Sequence, residues 1–111
     1  MKTMVPVLAP DIEPIANRAK SIAEVLDDVW HEVERAEAKH KPMNSAHEGY
    51  SVILEEFDEL WAEVKKGGST PRDPIAMRKE AVEVAAMAVR FIRDVCDGRK
   101  RPATQPPAGD T

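Results

Sequence analysis

Two Glu-x-x-Glu pairs, Glu56/Glu59 and Glu80/Glu83, are the residues of this sequence best placed to do chemistry. The first pair lies in the stretch EEFDELWAE, residues 55–63, where five acids alternate with Phe57, Leu60 and Trp61. Residues three apart share one face of a helix. Two such pairs on consecutive helices can therefore be brought face to face by antiparallel packing. Four uncompensated carboxylates would repel one another, and a divalent cation reverses that balance. An all-oxygen ligand set points to Mg²⁺ or Mn²⁺ in preference to zinc or copper. Glu80 is the most telling of the four, because it falls on an apolar stripe where an unpaired carboxylate is costly. The competing reading is a buried ion pair with Lys79, Arg78 or a cation of the first helix.

Other chemistries find little support. His31, His40 and His47 have no spacing that makes a zinc site with a carboxylate or cysteine. There is no Gly-rich phosphate loop, no Ser-His-Asp order and no Cys-x-x-Cys. The single cysteine, Cys96, excludes an internal disulfide framework and reads as a packing residue late in an apolar helical pattern. Trp30 and Trp61 likewise read as core.

Three helical segments must position the acids, and the fold class is all-α: an antiparallel bundle of about three long helices per chain, completed by oligomerisation. The first segment is expected from an N-cap at Asp11, with Pro14 in the first turn, to about residue 39. Its seam is Ile15, Ala19, Ile22, Leu26, Val29, Val33 and Ala36. The second opens on a Ser45-x-x-Glu48 capping box, each side chain serving the other's amide, and stops at Gly67-Gly68. Its apolar stripe is Ile53, Phe57, Leu60, Trp61 and Val64, centred on Phe57 and Val64. Glu56, Glu59 and Glu63 lie on one flank of that stripe, while Glu55 and Asp58 turn toward solvent. Gly49, on the Glu56 flank, signals a close approach by a neighbouring helix or a ligand.

The third segment begins at Asp73-Pro74, cap then first-turn proline, and closes before Gly98. Its stripe is Ala76, Val84, Met87, Ala88, Phe91 and Val95. Val82, Ala86 and Val89 make a second apolar face, which argues for at least a homodimer, or a homotetramer. Arg90, two turns past Glu83, is within reach of a bound phosphate, but Asp94 one turn on offers it a helical ion pair, and that pair is the expectation. Residues 1–10 read as an extension, 11–98 as the helical domain and 99–111, with three prolines, as a disordered tail.

With 16 Lys+Arg against 20 Asp+Glu, the net charge of −4 argues against a nucleic-acid or anionic-membrane partner. No run of about 18 apolar residues and no signal-peptide pattern is present. The expected location is cytoplasmic.

At these acids the sequence resembles the MazG-like all-α nucleoside triphosphate pyrophosphohydrolases, whose signature is Glu-Glu-x-x-Glu, a spacer, then Glu-x-x-Asp. Glu55-Glu56-Phe-Asp-Glu59 and Glu80-x-x-Glu83 carry the likeness, with Glu83 where that motif has Asp. The run NSAHEGYSVILEEFDELWAEVKK together with RKEAVEVAAMAVRFIRD is similar to small phage and bacterial members, over about residues 44–95. The resemblance implies Mg²⁺ held by Glu56, Glu59, Glu80 and Glu83, with Glu55 as the first motif glutamate in a catalytic role. It implies a nucleoside triphosphate substrate, cut between the α- and β-phosphates. The alternative function is a helical oligomerisation or regulatory module that keeps the fold without catalysis.

Overall fold

Ser21 opens the first helix. In the computed structural model, which describes residues 19–98, the Ser21 Oγ accepts from the Glu24 amide at 3.1 Å and the Glu24 carboxylate accepts from the Ser21 amide at 2.9 Å. This reciprocal box holds Ser21 in extended backbone, so the helix does not continue back through it. Helix α1 therefore spans Ile22–Lys39, and the expected continuous helix from Asp11 is corrected at residues 19–21, which are not helical. Asp11, Pro14 and Ile15, the extension 1–10 and the tail 99–111 lie outside the described residues.

Helix α2 spans Ala46–Val64 and helix α3 spans Pro74–Phe91. Ser45 caps α2 as expected, its Oγ accepting from the Glu48 amide at 3.0 Å. The return bond differs: Glu48 accepts from the Asn44 amide, not from Ser45, and so ties down the connector one residue earlier. At the other end of α2 the chain turns on Gly67 and Gly68, both at positive φ. Arg72 Nε donates to the Val64 carbonyl at 2.6 Å, satisfying an acceptor that the helix end leaves open. Asp73 then accepts from the Ile75 amide at 3.0 Å, and Pro74 takes the position where no amide is needed. Beyond Phe91 the helix widens into a π-helical turn, Ile92–Cys96, closed by the Asp97 amide donating to the Ile92 carbonyl at 2.7 Å.

Helix α3 is central and packs against both α1 and α2. Its Val82, Ala86 and Val89 line faces α1 around Val29, Val33 and Ala36. That face is bracketed by Arg78 to Asp28 at 2.7 Å and Arg93 to Glu37 at 3.1 Å. Both apolar faces of α3 thus meet a helix of the same chain, with Val82, Val84, Ala88 and Val89 left half-buried. Ala86, fully buried, is the innermost residue. Gly49 explains the close approach of α2: a Cβ there would lie 2.5 Å from the Phe91 ring and 3.1 Å from the Met43 sulfur.

The apolar surplus lies elsewhere. Tyr50, Leu54, Phe57 and Trp61, spaced as one stripe of α2, are exposed, Phe57 and Trp61 by 50% and 59%. Ile22, Leu26 and Trp30 form a second exposed stripe on α1. The expected placing of Phe57, Trp61, Trp30, Ile22 and Leu26 against the core is therefore corrected. Helix α2 has two adjacent apolar-rich faces, and the one that contains Gly49 packs closest to α3, turning Phe57 and Trp61 outward. Cys96 is also exposed, because the π-helical turn alters the phase at which side chains return to the core. Among the described residues no helix is long and apolar enough to cross a membrane.

Candidate metal centre

Antiparallel packing of α2 on α3 sets a simple register. Gly49 meets Phe91, Glu56 meets Glu83, and Glu59 meets Glu80. Each of the four glutamates offers one carboxylate oxygen, and these oxygens all lie within 4.8 Å of one another, close enough to hold a metal ion. The sequence-derived ligand set is thus brought together by two helices, each opened by a side-chain cap. Its phase differs slightly from expectation: Glu56 points inward between Ile53 and Leu60 and is not on the flank of a stripe centred on Phe57.

The electrostatics are those of a crowded carboxylate site. Burial, the contact with Glu83 and the charge of Glu59 push the Glu56 carboxyl from 4.5 up to about 7. Burial and the charge of Glu83 also raise Glu80, against the opposing pull of Lys79. Glu83 goes the other way: burial would raise it, but Lys79, the bond with Glu56 and the Arg35 charge together outweigh that and hold it low. A Glu56–Glu83 hydrogen bond requires a proton on one of the two acids. With both ionised, Glu56 Oε1 is buried with no partner, and so is Glu80 Oε1.

Among the described residues one cation, Lys79, is ion-paired to this cluster. Lys79 lies 3.0 Å from Glu83 and 3.5 Å from Glu80, but its side chain is 64% exposed. Arg78 is committed to Asp28 on α1. The ion-pair reading of Glu80 therefore reduces to a shared surface lysine, and a surface pair contributes about 0–1 kcal/mol. That is too little to explain two buried, unpartnered carboxylate oxygens. An oxygen-only set of this kind fits a hard divalent cation.

Glu55 stands outside the four-oxygen cluster. It is exposed, as the helical wheel implies, yet it lines a cavity of about 670 Å³ beside the cluster. The cavity is bounded by α1, the 40–45 connector, α2 and α3, and Glu56 and Glu83 form part of its wall. Its volume is in the range of small-molecule sites. None of His31, His40 and His47 belongs to the cluster.

Arg90 is the residue that sequence reasoning placed wrongly. It does not pair with Asp94. Asp94 accepts from the Met43 amide at 2.9 Å, and Arg90 Nη2 donates to the Lys41 carbonyl at 3.0 Å. Both side chains reach across to the connector, which a local four-residue rule cannot anticipate. No family model, curated protein or solved structure matches this chain.

Proposed function

We propose that this chain is a Mg²⁺-dependent nucleoside triphosphate pyrophosphohydrolase that releases a monophosphate and pyrophosphate. The observation that carries the reading is the convergence of Glu56, Glu59, Glu80 and Glu83 at the edge of a ligand-sized cavity. The likeness of their spacing to the MazG-like motif supports the same reading. Mg²⁺ bound there would neutralise the carboxylates and polarise phosphate oxygens. Glu56 must give up its proton before it can serve as a ligand. Glu55, on the cavity wall and outside the cluster, would orient a water and take its proton as the water oxygen attacks the α-phosphorus. The bond from that phosphorus to the bridging oxygen breaks in the same displacement, and pyrophosphate leaves.

The exposed stripes on α1 and α2 support a homo-oligomer, because contiguous apolar surface of this kind marks an interaction site. They would serve a non-catalytic oligomerisation module equally well. A module of that sort has no use for clustered inward carboxylates, which favours the enzyme. Incubation with a panel of nucleoside triphosphates and Mg²⁺, followed by assay of pyrophosphate, decides between them. The enzyme releases pyrophosphate from at least one nucleotide, and the module from none.

A further inference from the structure

Arg90 is 3% exposed, and among the described residues its guanidinium has no carboxylate partner within ion-pair distance. One good acceptor, the Lys41 carbonyl, and one weak one, the Met87 sulfur at 3.5 Å, serve its Nη atoms. Its Nε is buried with no acceptor at all. A buried cation is costly unless an anion faces it. Arg90 forms part of the cavity wall, together with Lys39 and Lys41, and neither lysine carries an ion pair among the described residues. Arg35, also on the wall, is already taken up by Glu32 through bonds of 2.9–3.1 Å.

The wall also carries Glu55, Glu32, which holds Arg35, and Glu48, which accepts from the Asn44 amide, so Arg90, Lys39 and Lys41 are its cations without an ion pair among the described residues. Glu56 and Glu83 lie toward one end. Arg90 is seven residues beyond Glu83 on the same helix, about 10 Å along its axis, and Lys41 of the connector and Lys39, the last residue of α1, lie at that end. A ligand that suits both ends carries several anionic groups in a row, the first neutralised by a metal at the glutamates and the rest reaching the cations. We propose that Arg90, Lys41 and Lys39 form an anion-holding subsite that takes the pyrophosphate half of the nucleotide. This assignment rests on the pyrophosphohydrolase reading for its substrate, but the subsite itself does not need the glutamates. Guanidinium is the side chain suited to such a role, since its planar fork matches phosphate oxygens.

The test uses inorganic pyrophosphate as the probe, with EDTA present, so that the glutamate cluster carries no metal. Calorimetry or thermal shift on the full chain should show salt-sensitive binding. Replacing both exposed lysines, Lys39→Gln with Lys41→Gln, should weaken it about ten-fold or more. Arg90→Lys, which keeps the charge and loses the fork, should weaken it as well. If that variant fails to fold, the double lysine variant still decides. Glu56→Gln should bind metal-free pyrophosphate at least as tightly as the parent. Parent protein with no metal-free pyrophosphate binding, or lysine variants that bind it unchanged, would overturn the subsite. The two proposals fail separately. Pyrophosphate bound by the parent and weakened in the lysine variants, with no nucleotide hydrolysed, supports the subsite and removes the enzyme. Hydrolysis with unaltered KM and unaltered pyrophosphate inhibition in the lysine variants supports the enzyme and removes the subsite.

Discussion

Glu56 sets the chemistry at the scale of the single residue. Its carboxyl is pushed up to about 7 by burial, by Glu83 and by Glu59, so the folded protein holds a proton that the unfolded chain has released by pH 5–6. A raised acid stabilises the fold below its unfolded value and loses that contribution as pH rises through the folded one. Glu80 has the same sign, while Glu83, held low, acts in the opposite sense and only below about pH 4.5. The melting temperature of the metal-free protein should therefore fall between pH 5 and 8, and the fall should largely disappear in Glu56→Gln. A parent protein whose melting temperature climbs steadily over that range would contradict the assigned repulsion. The four ligand candidates were legible from a spacing of three on consecutive helices, because that spacing alone settles which side chains share a face. The direction of Glu56 was not. A helical wheel ranks faces by hydrophobicity, and α2 offers two adjacent faces of nearly equal merit. The small residue Gly49 selects between them by admitting Phe91.

Helices α2 and α3 were legible as elements because both carry local start signals, Ser45 and Asp73-Pro74, and an unambiguous glycine stop follows α2. The start of α1 was missed for a physical reason. The apolar period continues upstream through Ala19 and Ile15, and periodicity cannot see that Ser21 and Glu24 satisfy each other's amides and close the helix there. The π-helical turn at Ile92–Cys96 was equally hidden, and with it the burial of Asp94 and the exposure of Cys96. Gly49 tests the packing of α2 on α3 directly. Alanine gains about 1 kcal/mol of helix propensity but places a methyl group against the Phe91 ring and the Met43 sulfur. Overpacking of this kind costs about 1–3 kcal/mol. Gly49→Ala should therefore lower stability by about 0–2 kcal/mol in urea titration, and a stabilised variant would show that the contact is loose.

For the whole molecule, the main fact is where apolar surface remains. Helix α3, expected to need a second subunit, packs against both other helices with Val82, Val84, Ala88 and Val89 half-buried, whereas α1 and α2 keep Trp30, Phe57 and Trp61 at the surface. Sequence patterning showed how much apolar face exists but could not say which part three helices would consume. A homodimer or larger assembly is expected by sedimentation at micromolar concentration. Trp61→Glu should shift it toward monomer, and a monomeric parent would remove the interface. The metal centre is reached most directly by one titration. Calorimetry with Mg²⁺ at pH 7.5 should show saturable binding to the parent protein and to Asp58→Asn, on the outer side of α2. Binding should be lost in Glu56→Gln and in Glu80→Gln, with neither apo variant less stable than the parent, since Lys79 is at the surface. Mg²⁺ that leaves all four proteins unchanged, or a Glu80→Gln apo protein weakened by about 3–5 kcal/mol as a broken buried ion pair would be, contradicts the account.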